Sequence, residues 1–187
     1  MALNIDTGVP GLQPARTSTA LEEQEVGSLR DLEALQGEWR WLWARCPGAR
    51  ATQRPEVLLP WYRSTDASLS SRSPWGLALR SEGRLVGLAP LLVREEAGAR
   101  VVRLLGEGLS DYLDVLMDPE LAPHGLRTLF DWLGRNAARW DTCVFEQLRE
   151  NSPLLRTPLP PGWGERAEAR EGTYYRRSLW LAPGDSM

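Results

Sequence analysis

The stretch from residue 112 to residue 148 constrains the fold most. Residues 112–117 alternate in polarity, as a strand does, and an apolar stripe at helical spacing follows, ending near Trp140. Residues 142–148 then form a short apolar run that predicts a buried strand. Two strands joined by a helix pair in parallel through a right-handed crossover. The chain is therefore expected to contain a parallel strand pair with a helix packed on it.

The remaining segments predict an antiparallel group before this unit and a hairpin after it. We expect a helix over 29–45 capped by Ser28, and a second helix beginning at Pro55. Strands are predicted at 75–80, 85–94, 101–105, 166–170 and 174–181. A short helix is predicted over 152–155, capped by Asn151 or Ser152. The predicted class is α/β (α+β), with a mixed, mostly antiparallel sheet, a central β-α-β crossover and flanking helices.

We expect one folded domain in the 187-residue chain, over residues 28–182. Residues 1–27 are rich in Gly, Pro, Thr, Ala and Glu and show no hydrophobic period, so they are interpreted as a flexible leader. Residues 183–187 are interpreted as a short tail. The absence of a long apolar run and of a signal-like start predicts a cytoplasmic protein without a membrane span.

Composition excludes several classes of function. All 22 basic residues are Arg, so Schiff-base chemistry, a Lys nucleophile and a Lys-dependent P-loop are excluded. The formal net charge of −3 argues against a nucleic-acid binder held by bulk charge. Cys46 and Cys143 form no CxxC pair and His124 is the only histidine, so no metal site is predicted.

Four segments together resemble a known family. These are SEGRLVGLAPLLVRE, VVRLLGEGLSDYLDVLM, RWDTCVFEQLRENSPLL and YYRRSLWL. With the element order, they resemble the GNAT-fold acyltransferases, and in particular the first half of the cellulose-biosynthesis-type (CelD/BcsL-like) acetyltransferases. These are related to the Fem-type aminoacyl transferases. The likeness covers residues 28–182.

The resemblance implies transfer of an acyl group from acetyl-CoA or another acyl-CoA, as co-substrate, to a small amine or sugar-amine, and a place in bacterial exopolysaccharide synthesis. In such enzymes the donor lies in a V-shaped gap between two parallel strands, with its diphosphate at the start of the following helix. Relatives carry a second GNAT-like domain in tandem, so a second domain or self-association is expected. The resemblance places the donor at Met117, His124, Gly125 and Leu126.

The phosphate loop departs from the family pattern. Ala122 stands where a basic residue is usual, and Pro123 has no N–H to offer. Arg103, Gly106 and Gly108 match the family's R-x-x-G-x-G spacing, but strand-like residues follow them, so we interpret these glycines as a bulge. A non-catalytic GNAT-like half-domain that acts as an interaction or scaffolding module is therefore the alternative function.

The candidate catalytic residues are Asp111, Tyr112, Asp114 and Glu146. A carboxylate at the gap would accept the amine proton, and the Tyr112 phenol would donate to the leaving thiolate. The structural alternatives stay open, since Asp111 could satisfy local amides, Tyr112 could pack in the core, and Glu146 could pair with Arg103 or Arg149.

The nine tryptophans are divided by spacing. Trp39, Trp43 and Trp140 lie on apolar stripes and are predicted to be in the core. Trp41 and Trp132 fall off those stripes and are candidates for an exposed docking face. A glycan-binding module would rest on tryptophan number alone.

Overall fold

The computed structural model describes residues 20–66, 72–109, 112–170 and 174–181. In these ranges the helices are α1 (Leu29–Ala34), α2 (Gln36–Arg45), α3 (Pro55–Asp66), α4 (Ala122–Arg135) and α5 (Pro153–Arg156), with single 3-10 turns at Ala51–Gln53 and Ala137–Arg139. The strands are β1 (Glu22–Val26), β2 (Arg72–Pro74), β3 (Gly76–Ser81), β4 (Arg84–Ala89), β5 (Leu91–Glu96), β6 (Ala99–Leu104), β7 (Leu116–Met117), β8 (Thr142–Leu148), β9 (Trp163–Arg170) and β10 (Tyr174–Leu181).

The strands form two sheets that continue into each other. One has the order β1-β3-β4-β7 and the other the order β2-β5-β6-β8-β10-β9. Only one residue, Pro90, separates β4 from β5, and its missing N–H interrupts the ladder. Across the junction, the Trp75 amide donates to the Leu91 carbonyl at 3.0 Å. The β6–β8 pair is parallel and the other described pairs are antiparallel, which confirms the predicted mixed α+β class.

Helices cover both faces of this bent sheet. Leu91 packs in one buried cluster together with Phe130 of α4, whereas the next residue, Leu92, packs in a second cluster with Trp39 of α2 and Leu58 of α3. Because successive strand residues point to opposite faces, α4 lies on one face and α1–α3 lie on the other. In the described ranges, no helix combines the length and the apolar character that crossing a membrane requires.

Several boundaries differ from the predictions. The predicted helix 29–45 is divided at Leu35 into α1 and α2, while Ser28 caps it as expected by accepting from the Asp31 amide at 3.2 Å. The prediction of a strand over 112–117 was wrong for 112–115, which form no ladder. Trp132 was also mispredicted: it is 5% exposed and stacks on Trp75 with ring centroids 4.3 Å apart.

The leader prediction was wrong for residues 22–26. They form β1, which pairs with β3 from Glu22↔Arg80 to Val26↔Gly76. Four of its five residues are exposed, so it has no apolar alternation to reveal it. Its charged side chains pair with the end of the α4 region, at 2.6 Å for both Glu23–Arg135 and Glu25–Arg139. Such charges are typical of a sheet edge. Residues 1–19 and 182–187 lie outside the described part.

Candidate functional site

The two parallel strands stay together for only two residue pairs. Val101 is opposite Thr142 and Val102 is opposite Cys143, and beyond them β6 leaves β8. The chain then turns through residues 105–109, where Gly106 and Gly108 have φ of +103° and +88°. These values suit glycine. Residues 105–109 form turns rather than a bulge within a strand, so the bulge interpretation was wrong, and no helix begins in the described residues 105–109 and 112–115. A gap therefore opens between the first strand of the crossover and β8.

Residues 112–115 bridge one side of this gap. The Leu113 amide donates to the Gln147 carbonyl of β8 at 3.1 Å, and the side chain of Leu113 is buried in the α4-side cluster. On the other side, Gln53 Nε2 donates to the Asp114 carbonyl at 2.9 Å. The segment is therefore held between β8 and the turn that precedes α3, and it rejoins the sheet only at β7.

A cavity of about 240 Å³ remains next to this segment. Its walls come from the loop after α2, from residues 114–117, from the start of α4 and from the chain after β8, and they include Cys46, Gly48, Asp114, Met117, Ala122 and Arg149. Cys46 Sγ donates to the Met117 carbonyl at 3.1 Å, and Arg149 donates to the Gly48 carbonyl at 2.6 Å. These two bonds tie the α2 loop to opposite walls of the cavity.

Asp114 is the carboxyl group of this cavity. Burial raises its pKa to about 7, while hydrogen bonds from the Ser152 hydroxyl and the Val115 amide act in the opposite direction. The Val115 bond is 2.9 Å long, and Ser152 is fully buried. A carboxyl group that titrates near neutral pH can take up or release a proton at working pH. Burial also raises the pKa of Cys46 to about 11, so this thiol stays protonated.

The start of α4 forms the far end of the cavity. Its N-cap is Leu121, whose side chain cannot accept a hydrogen bond, and Pro123 has no N–H. The Gly125 amide bonds to the Leu121 carbonyl at 2.8 Å. The amides of Ala122 and His124 therefore have no partner within the helix. Such amides, with the helix dipole, favour an anion.

A carboxylate already lies close to this helix start. Asp118 is buried, and its Oδ1 accepts from the Glu120 amide at 3.2 Å. Its Oδ2 pairs with Arg45, which comes from the C-terminal end of α2 and is half exposed. Arg45 therefore balances the charge of Asp118 next to the start of α4.

The predicted donor-site residues fall in different places. Met117 lines the cavity, whereas Leu126 is buried in the core and His124 is exposed. Gly125 is also in the core, and a Cβ there would lie 2.9 Å from Met117 Sδ. Gly125 is thus explained by close packing against Met117. The cavity wall includes Ala122 of α4 instead.

The predicted catalytic residues are also separated. Asp111 lies outside the described residues. Asp114 lines the cavity, and Tyr112 is half-buried with the Arg50 guanidinium 5.6 Å from its ring centroid. Because residues 112–115 are not a strand, Tyr112 and Asp114 do not share a strand face as predicted.

Glu146 belongs to a different cluster, formed by Arg94, Glu96, Arg103, Glu107, Glu146 and Arg176. It lies 3.4 Å from both Arg103 and Arg176. Arg103 is buried and also binds Glu96 at 2.8 Å and Glu107 at 2.5 Å. Burial raises the pKa of Glu107. Arg103 is one of the two partners that the sequence analysis left open for Glu146.

Sequence reasoning missed Arg45, Gln53 and Arg149 as parts of the site, and found Ser152 only as a helix cap. Arg45 and Asp118 are 73 residues apart, and Gln53 and Asp114 are 61 apart. No spacing rule connects such positions. The one local signal was Ser152-Pro153, which marked a helix start next to the end of β8.

Several solved acetyltransferases have similar chain paths. PaiA N-acetyltransferase from Thermoplasma acidophilum, in complex with coenzyme A, aligns with a TM-score of 0.46 at 14% identity, over 85% of this chain and 98% of that one. An acetyltransferase from Thermus thermophilus aligns with a TM-score of 0.48 at 14% identity, over 86% and 96%. Aminoglycoside acetyltransferase AAC(6')-Ib in complex with coenzyme A aligns with a TM-score of 0.45 at 14% identity, over 87% of this chain and 95% of that one. No family model and no curated protein matches the sequence.

Proposed function

We propose that this chain is an acyl-CoA-dependent N-acyltransferase that acts on a small amine. The observation that carries the proposal is the cavity between residues 114–117 and the chain after β8, which brings Asp114 and the start of α4 to one space. A thioester needs a slot between strands, and its diphosphate needs an anion-binding end. The cavity offers space for the thioester, and the uncapped amides of α4 offer the anion-binding end.

The residues present fit an acyl-CoA in charge as well. Asp118 is neutralised by Arg45, so it does not leave an uncompensated negative charge at the helix start. Arg149 lines the same cavity and adds a further positive charge. The acyl-CoA supplies an activated carbonyl, and this chain's residues would orient it and take up the proton of the acceptor.

In the proposed reaction, the amine nitrogen attacks the thioester carbonyl carbon. The C–N bond forms and the C–S bond breaks, and the electron pair of that bond goes to sulfur, which leaves as a thiolate and takes up one proton. Asp114 accepts the proton that the amine nitrogen loses and then releases it to solvent, from which the thiolate takes its proton, so Asp114 is regenerated. Its pKa of about 7 suits a base that works near neutral pH. The amino-sugar acceptor and a role in exopolysaccharide synthesis follow from the family resemblance and stay proposals. The cytoplasmic location also stays a proposal.

The test is acyl transfer measured as free thiol release from acetyl-CoA, with spermidine, an aminoglycoside and glucosamine as acceptors. We expect thiol release that depends on the amine, and loss of that release in Asp114→Asn with acetyl-CoA binding retained. Asp131→Asn, an exposed carboxylate on α4, is the matched control. Binding without amine-dependent release from any acceptor would contradict catalysis.

A second candidate, a non-catalytic interaction module, is favoured by one observation. The Leu113–Gln147 hydrogen bond spans the gap that a donor would enter, and Leu113 is buried there. This function predicts no acetyl-CoA binding and a stable complex with another copy or a second domain. Isothermal titration with acetyl-CoA and light scattering after size exclusion separate the two candidates.

A further inference from the structure

A second groove lies on the other side of the Arg45–Asp118 pair. It has a volume of about 300 Å³ and is formed between α2 and the β3–β4 hairpin. Leu42, Leu85 and Val86 give it an apolar floor, and the indole of Trp41, 77% exposed, stands at its side. An exposed indole above an apolar floor is suited to stacking against a flat ring.

The charges in this groove leave one cation without a counter-ion. The hydrogen bond from Arg80 lowers the pKa of Glu38, which binds Arg80 at 2.5 and 2.8 Å. Asp118 is paired with Arg45. Arg84 is exposed at the groove and makes no hydrogen bond or ion pair with any residue that the structure describes. The groove therefore presents a flat apolar surface next to a free guanidinium, which suits a ring that carries an anionic group.

The groove and the cavity at Asp114 are lined by neighbouring residues of the chain. Arg45 and Asp118 line the groove, and the adjacent residues Cys46 and Met117 line the cavity. Adjacent Cα atoms are about 3.8 Å apart, so the two spaces border on each other across the Arg45–Asp118 pair. A ligand longer than either space could cross this pair and occupy both.

We propose that the groove binds the 3′-phosphoadenosine end of CoA. The adenine stacks on Trp41, the 3′-phosphate pairs with Arg84, the diphosphate passes over Arg45, and the pantetheine arm lies in the cavity next to Asp114. This inference rests on the proposed function, because it assigns the far end of the same donor. The reaction itself needs only the cavity, so the groove would determine donor affinity and the preference for CoA over shorter thioesters.

The experiment compares three probes by isothermal titration: CoA, dephospho-CoA (which lacks the 3′-phosphate) and pantetheine. We expect Trp41→Ala to bind CoA and dephospho-CoA about tenfold more weakly, since stacking on an aromatic side chain contributes on this scale. Trp41→Phe should restore most of the affinity. Arg84→Gln should weaken CoA about tenfold and leave dephospho-CoA unchanged. Arg30→Gln, another exposed arginine without a described partner, is the matched control.

Turnover with S-acetylpantetheine separates this inference from the proposed function. We expect both groove variants to use S-acetylpantetheine at the wild-type rate, because that donor does not reach the groove. If Trp41→Ala and Arg84→Gln bind CoA like the wild type while S-acetylpantetheine is turned over, the groove assignment is overturned and the proposed function stands. If neither CoA nor pantetheine binds and S-acetylpantetheine is not used, both are overturned.

Discussion

Ser152 connects Asp114 to the short helix α5. A hydrogen bond from Ser152 lowers the pKa of Asp114 against the effect of burial, and the Ser152 oxygen accepts from the Leu155 amide at 3.3 Å as the N-cap of that helix. Ser152 is fully buried, so water cannot replace either bond. The protonation of Asp114 is therefore coupled to the order of the chain after β8, and each side can be tested separately.

Asp114→Asn should lower amine-dependent thiol release by about 100-fold or more, because it removes the proposed base. In the wild type the rate should rise with pH and level off above about 7, where Asp114 is ionised. The residual rate of the variant should not show this rise towards pH 7. A pH–rate profile of kcat/KM for both proteins makes the comparison. An unchanged step near pH 7 in the variant would assign the base to another group.

Asp114 should also make stability depend on pH. Its folded-state pKa of about 7 lies above its ordinary 3.8, so the folded protein holds this proton more tightly than the unfolded chain. Stability is then lost as pH rises from about 4 to about 7. We expect Asp114→Asn to gain roughly 1–3 kcal/mol relative to wild type between pH 4 and pH 8. Urea denaturation at both pH values measures the difference, and an equal effect at both would contradict the raised pKa.

Ser152→Ala should have two effects. Loss of the cap should destabilise the fold by about 1 kcal/mol. Loss of the hydroxyl that stabilises the Asp114 carboxylate should move the step in the pH–rate profile upward. Ser64→Ala is the control, because its hydroxyl bonds to the Trp61 carbonyl in an exposed position. A destabilised Ser152→Ala with an unmoved step would limit Ser152 to a capping role.

Alanine substitutions at two glycines of α4 should have different effects on the stability of the fold. In Gly134→Ala the new Cβ lies 3.6 Å from its nearest neighbour, an ordinary van der Waals contact. This substitution should stabilise the helix by about 0.5–1 kcal/mol. Gly125→Ala brings Cβ within 2.9 Å of Met117 Sδ, so Met117 must move at the cavity wall. We expect Gly125→Ala to lose that gain and to change acetyl-CoA affinity. Urea denaturation and titration are the measurements; equal gains for the two variants, with unchanged affinity, would refute the packing role of Gly125.

Arg103→Gln should be strongly destabilising, at about 3 kcal/mol, because it removes the charge of a buried guanidinium and leaves the half-buried carboxylates of Glu96 and Glu107 without that partner. Burial alone would raise the pKa of Glu96, but hydrogen bonds from Arg103 and Arg94 lower it to about 2. The stability that this carboxylate contributes is present above about pH 4.5 and is lost as pH falls towards 2. Arg63→Gln, which breaks an exposed pair with Glu33, should cost under about 1 kcal/mol. Equal costs in urea denaturation would contradict the role of burial.

Local patterns predicted the elements that have their own apolar period. The strand β8 was predicted at residues 142–148, where the structure has it, and the cap Ser28 is confirmed. Of the two caps predicted for the short helix, Asn151 and Ser152, the structure has Ser152. β1 was missed because its order comes from pairing with β3 and from ion pairs more than 100 residues away in the chain. Residues 112–115 alternate like a strand, but bonds to Gln53 and Gln147 hold them outside the sheet.

The candidate site was only partly predictable for the same reason. Asp114 was identified from its place on the strand predicted before the long helix, and Met117 from the family resemblance, and both line the cavity. Arg45, which balances the charge of Asp118 next to the start of α4, comes from a helix 73 residues earlier in the chain. Glu146 had an apolar strand context that suggested function, but the neighbouring strands satisfy its charge with Arg103 and Arg176.

The most direct test of the account is titration of the full chain with acetyl-CoA, compared with a variant whose cavity is filled. Ala122→Trp places a large side chain in the cavity wall at the start of α4. We predict saturable one-to-one binding to the wild type and no measurable binding to Ala122→Trp, with both proteins folded by circular dichroism. No saturable binding to the wild type, or equal affinity in the two proteins, would contradict a donor site in the cavity next to Asp114.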